Sequence, residues 1–302
     1  MDTDLDTLAT ALYVTVDDLL KDHPEQLPPR PVVGIAPRIC DAELIVLSVM
    51  QAHLGYRSET RWLRRAHKDF HSMFPYLPGQ SGYNKRLKKL AGTIAWLTGQ
   101  LAAATRVAGD DVWVADSTPV ECGRSRETAK RSDLAGWAEY GYCASHTRYF
   151  WGLRLHLICT LHGLPVGWAL AGAKADEREV ATAILAHTPA LAHRPITLIG
   201  DKNYFGHQFE TELADAGITV LRPTRKGEKP QATGKFFKPL RQIIESINDT
   251  LKGQLDLELP GGRTPAGVCV RIAQRILALT AAIWHNDNLG LNIRRSLTAY
   301  DH

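Results

Sequence analysis

Three carboxylates stand where this sequence could hold a cation. Asp116 closes the apolar run of "VWVADSTPVE" (112–121), whose pattern predicts a buried strand ending at a polar turn. Placing an ionised carboxylate there costs on the order of several kcal/mol unless a cation compensates it. Asp201 ends a second apolar run, "ITLIGD", and Glu245 lies in "PLRQIIESINDTLKGQL". In that last segment Leu240, Ile244, Ile247, Leu251 and Leu255 form one apolar stripe, which predicts a helix seated on a sheet. At about 100° per residue, Arg241, Glu245 and Lys252 fall within roughly 40° along one border of the stripe. Hard divalent cations take carboxylate oxygens, so these three acids would make a metal site if they met. Each also has an ordinary reading. Glu245 could pair with Arg241 at i, i+4, Asp201 could cap its own turn, and Asp116 could pair with Arg124 or Arg126.

The elements that must position these acids are readable in outline. Residues 1–108 read as helical, with helical apolar spacing in "DAELIVLSVMQAHL" (41–54) and "ETRWLRRAHKDF" (59–70), then a Pro and Gly cluster at 75–82 before "NKRLKKLAGTIAWLTGQLAAA". The period changes at Asp111. After "DVWVAD" comes a polar, basic stretch (121–149), open between a DNA contact and a flexible insert. Next are "YFWGLRLHLICT" and "LPVGWALAGA", joined at "LHGLP" as a hairpin. A helix from Asp176, the strand "ITLIGD", the helix "HQFETELADAG" closed by Gly217, the strand "ITVLRPT" and a helix over about 236–255 complete the series. This order predicts an α/β fold: a mixed five-stranded sheet flanked by helices, over residues 109–302, preceded by an all-helical domain over 1–108. Both aspartates fall at strand ends, where ligands gather in such sheets.

Composition narrows the class. The chain has 302 residues, 44% of them hydrophobic and 23% charged, which excludes extensive disorder. Its apolar stretch "VCVRIAQRILALTAAIW" carries Arg271 and Arg275 and reads as a buried or amphipathic helix, not a membrane span. The acidic start "MDTDLDTLAT" is unlike a signal peptide, so a cytoplasmic location is expected. Five widely spaced cysteines suit reduced thiols. Cys143, His146, Cys122 and His156 make zinc conceivable, but no second tight ligand pair supports it. The net charge is only +4, yet residues 57–90 hold nine Lys or Arg against two acids, and 222–238 repeat the bias. Such runs are the footprint of a phosphate-backbone partner, or else solvated faces.

The order and spacing of the acids resemble the ribonuclease H-like catalytic domain of bacterial insertion-sequence transposases. Their Asp-Asp-Glu triad lies on the first strand, just after the fourth strand, and on a late helix. Here "DSTPVEC" resembles the first motif, and "GDKNYFG" the second, with Asn203 in a Gly position for which its tolerance of left-handed backbone would suit it. The signature Tyr-x2-Arg-x3-Glu-x6-Lys maps onto Arg241, Glu245 and Lys252, with Lys238 at the Tyr position. The resemblance implies two Mg²⁺ ions, or Mn²⁺ in their place, on Asp116, Asp201 and Glu245. It implies cleavage at element ends followed by strand transfer into target DNA, and a homo-oligomer assembled on terminal inverted repeats. Arg241, Lys252 and Lys202 would then contact DNA near the acids. Lys85, Arg86, Lys88, Lys89, Arg124, Arg126, Arg225 and Lys226 would contact it from the basic runs. A ribonuclease H-like endonuclease without strand transfer, or a non-catalytic DNA-binding relative, are the alternative expectations.

Overall fold

The fold comes from a computed structural model that describes residues 3–30, 36–143, 147–188, 194–228, 242–243, 245–247, 249–257, 260–293 and 300. The chain forms two compact units, residues 1–101 with 254–302, and residues 102–253.

The second unit carries a mixed sheet. Its strands are β1 (Val112–Gly123), β2 (Glu139–Cys143), β3 (Arg148–Thr160), β4 (Pro165–Gly172), β5 (Ile196–Ile199) and β6 (Ile218–Leu221). β3 runs antiparallel to β1, while β5 and β6 follow in parallel on the other side. The outer edge of β3 is shared: β2 pairs with residues 148–152 and β4 with 153–159. Six strands therefore stand where five were expected. The addition, β2, lies in the polar stretch 121–149, which also contains the short helix α6 (Arg126–Arg131). That stretch reads as loop because Gly and charged residues interrupt its alternation.

Helices join the parallel strands. Asp176 caps α7 (Glu177–Ala186) by accepting the Arg178 N–H at 2.8 Å, and the Arg178 guanidinium lowers the Asp176 pKa to about 2. α8 (His207–Asp215) ends at Gly217, whose φ of +79° closes the helix as its sequence foretells. Trp113, Ala115, Ile158, Ile184, Leu198, Phe209 and Leu213 make the core under these two helices. The hairpin expected at "LHGLP" is present, with Gly163 at φ +86° and its N–H donating to Thr160 O.

In the first unit, α1 (Thr3–Asp22), α2 (Asp41–His53), α3 (Glu59–Asp69), α4 (Gln80–Lys89) and α5 (Ala91–Ala103) are joined by α9 (Pro265–Asn288). α2 is the central helix, buried at all but one position from Ala42 to Gln51. Packing thus groups residues 254–302 with the helices, whereas a division at 108/109 would place them with the sheet. The reason lies in α9, which is apolar around most of its circumference and rests on α1, α2 and α4. By length and composition α9 could cross a membrane, but 83% of its most apolar window is buried within the protein. Its arginines are satisfied internally: Arg275 donates to Leu255 O at 2.5 Å, and Arg271 pairs with Glu59 at 2.9 Å.

Candidate active site

The parallel register of β1 and β5 bears on where the two aspartates fall. Val112, Trp113 and Val114 lie beside Thr197, Leu198 and Ile199, and the same register carried two residues further would align Asp116 with Asp201. Neighbours in register share a face, and adjacent strands run about 4.8 Å apart. Asp116 is interior to β1 rather than at its end. The rim arises because β5 stops at Ile199, so β1 continues past it paired only with β3. Asp116 Oδ1 accepts the N–H of Ser117 at 2.8 Å.

The "GDKNYFG" turn is built from side chain to backbone. Asp201 Oδ1 accepts the Asn203 N–H at 2.7 Å, and Oδ2 accepts the Asn203 amide at 3.1 Å. Asn203 is not at positive φ, which among the described non-glycine residues is adopted only by Thr147 and Asp256. Its value here is the amide that holds Asp201, not a left-handed backbone. Gly200 is required for a steric reason, since a Cβ there would meet the Tyr204 ring at 2.7 Å. The buried Tyr204 phenol has its pKa raised well above the usual value, first by burial and then by Glu177, Asp116 and Asp201, with Arg154 opposing.

Glu177, Ser117 and Arg154 form a network that sequence reading missed. Ser117 donates to Glu177 Oε1 at 2.5 Å and accepts from Arg154 Nη1 at 3.0 Å, while Arg154 and Glu177 lie 3.7 Å apart. The residue whose N–H holds Asp116 is thereby clamped on its other side. The pairing of Ser117 with His156 across β1 and β3 brings Arg154 near it, and Glu177 reaches it from the start of α7. His156 itself is buried, and neither ring nitrogen has a partner among the described residues. Burial lowers its pKa to about 4, so it is neutral at pH 7.

Glu245 lies in a helical turn and is exposed, and Ile247, two residues on, packs toward the β3–β4 turn at Gly163. Arg241 and Lys238 lie outside the described residues. Thr250–Gln254 is a π-helical turn, which widens the spiral and rotates Lys252 away from the position that uniform α-helical spacing predicts for it. Among the described residues no group of three or more His, Cys, Asp or Glu forms a cluster able to hold a metal.

The basic residues divide by their contacts. Arg86 is committed to Asp41 and to Ile39 O at 2.8 Å, and Arg57 and Arg65 pair with Asp256 and Asp69. Arg124 pairs with Glu121 at 3.0 Å rather than with Asp116. The Arg225 guanidinium stacks on Phe205 at 3.5 Å, and Arg222 is buried between Glu210 and Glu228. Lys85, Lys89, Arg126, Lys202 and Lys226 are exposed, and Lys88 is half-buried. Cys143 packs in an apolar cluster with Phe150 and Ala173, and all five cysteines are free thiols. His146 lies outside the described residues.

Residues 106–263, just over half the chain, match the family model described as "Transposase DDE domain". Among solved structures, the chain is similar to a piggyBac transposase in a cryo-EM synaptic complex with hairpin DNA. The two share 9% identity over 97% of this chain and 77% of that one, with a TM-score of 0.46. No curated protein matches the chain.

Proposed function

The chain belongs to the transposase DDE-domain family, and on that premise we propose that it is a DNA transposase acting through Asp116, Asp201 and Glu245. The observation that supports this reading is the β1–β5 register, whose continuation past the end of β5 would carry the first two acids to neighbouring positions. Leaving the inserted β2 aside, Asp116 is on the first strand and Asp201 follows the fourth. That placement is the one implied by resemblance to ribonuclease H-like transposases, and it favours that fold for residues 109–253.

Carboxylate oxygens are the donors a hard divalent cation takes, and the three acids would have to draw closer than they lie here to form one site. Asp116, Asp201 and Glu245 would hold two Mg²⁺ ions, or Mn²⁺. Such ions, when bound, supply an activated oxygen, a stabilised leaving oxygen and compensation of phosphate charge. The chain's own part is positional. The Ser117 N–H fixes Asp116 Oδ1, and Asn203 fixes both oxygens of Asp201. Lys202 and Lys252 present cations to phosphate, and Arg241 would orient Glu245 or hold phosphate. A water oxygen attacks phosphorus at the element end and releases a 3′-hydroxyl. That hydroxyl then attacks a target phosphodiester, displacing a second 3′-hydroxyl. The helical unit would recognise terminal repeats, and the active form would be a multimer on DNA in the cytoplasm.

The test is incubation of a duplex carrying the element's own terminal repeat with Mg²⁺ and either wild type or Glu245→Gln. Cleavage should be lost with DNA binding kept. Equal cleavage by both proteins removes Glu245 from the mechanism, and cleavage without a joined product reduces the activity to a nuclease.

A further inference from the structure

The arm formed by β2 and the start of β3 carries an aromatic surface that the proposed chemistry does not use. Tyr140 pairs in register with Trp151, and Tyr142 with Tyr149, so the four rings share one face of the arm. The opposite face is closed by Cys143, Phe150 and Ala173. Tyr149 is 79% exposed, Tyr140 52% and Tyr142 44%, and the Tyr142 and Tyr149 rings sit 5.1 Å apart. Three large rings left in water on two paired strands are unusual for a surface with no ligand.

Cations border these rings. Arg126 and Lys130, one turn apart on α6, line a recess of about 430 Å³ with Tyr140 and Trp151. Neither makes an ion pair among the described residues. The neighbouring acids are engaged elsewhere: Glu121 by Arg124, Glu127 by Arg131, and Glu139 by the Lys174 N–H. Asp133 alone in this segment lacks such a tie among the described residues.

Position links the surface to the carboxylates. Side chains alternate along β3, so Tyr149 and Trp151 share a face with Leu157, the register partner of Asp116. Six residues separate Trp151 from Leu157, about 20 Å along the strand. Arg154 also spans the two, donating to Tyr142 O at 2.9 Å and to Ser117 Oγ at 3.0 Å.

We propose that this arm docks unpaired nucleotides of a DNA strand, the bases stacking on Tyr140, Tyr142 and Tyr149 while Arg126 and Lys130 hold the phosphates. Exposed aromatic faces with flanking cations match an unstacked base and its backbone, whereas a duplex keeps its base faces covered. The inference rests on DNA being the substrate but not on which carboxylates cut it.

The test uses the full chain in EDTA, measuring anisotropy of a labelled duplex with a short single-stranded thymidine overhang against its blunt counterpart. Wild type should prefer the overhang. The pair Tyr140→Ala with Tyr149→Ala should weaken overhang binding about fivefold or more and leave blunt binding unchanged, while the matching Phe pair should retain the preference. Asp116→Asn should lose cleavage and keep the preference, which separates failure of the platform from failure of the active-site reading. Equal binding of both duplexes by wild type, or an unchanged overhang affinity in the Ala pair, would overturn the proposal. So would an Ala pair that alters only self-association, because the edge strand would then serve a second copy of the chain.

Discussion

At the residue scale, the acids expected to bind metal are a matter of local pattern, whereas the groups that hold them are not. Asp116 and Asp201 each follow an apolar run, and that is visible in a few consecutive letters. Glu177 and Arg154 are invisible in this way, because they reach Ser117 from another strand and from a helix start. Asn203 was legible as a substitution but not for its reason, which is an amide directed at Asp201. Under the proposed mechanism, Glu177→Gln weakens the clamp on Ser117 while keeping its shape. Groups that orient ligands commonly contribute about 10–100-fold. Single-turnover cleavage by Glu177→Gln and by Ser117→Ala should fall within that range, with duplex affinity in EDTA unchanged. Wild-type cleavage rates in both variants would show that the network serves folding alone.

At the scale of elements, periodicity foretold the hairpin, both crossover helices and the parallel strands, because each buries a continuous apolar face. It failed where geometry departs from a fixed period. The π turn at Thr250–Gln254 breaks the uniform advance that aligned Lys252 with Glu245, and the shortness of β5, not the end of β1, makes the rim beside Asp116. Gly152 shows how closely β1 and β3 approach at the bulge of β1, since a Cβ there would meet Val120 O at 2.1 Å. The obstacle is backbone and cannot swing aside. Gly152→Ala should destabilise the sheet by at least the upper end of the about 1–3 kcal/mol typical of overpacking, read as a lowered urea midpoint. Gly99 in α5 is the contrast, with nothing within 4 Å of an added Cβ. Gly99→Ala should stabilise by about 0.5–1 kcal/mol through helix propensity, and a loss of stability would show that the helix needs the missing side chain.

At the scale of the whole molecule, charge counted along the chain overstates what is available to a polyanion. Arg57, Arg65, Arg86 and Arg222 all belong to basic runs, yet each is tied to a carboxylate. The pH response has a similar internal origin, since one imidazole in each compact unit has its pKa lowered by withdrawal from water. Burial lowers both His53 and His156 to about 4 from an ordinary 6.5. For His53 it outweighs a backbone contact with Ala278; for His156 it outweighs the attraction of Glu177, and Arg154 adds to the lowering. With the folded pKa below the unfolded one, the unfolded chain binds more protons between these values, so stability rises with pH there. The stabilisation is complete above about pH 6.5 and is lost as pH falls toward 4. Thermal unfolding should therefore show a clear drop in midpoint from pH 7 to pH 5. His156→Gln, which cannot take up that proton in either state, should flatten the part of the drop belonging to the sheet unit. A midpoint slope unchanged by that substitution would assign the acid sensitivity to carboxylates and not to the buried imidazole.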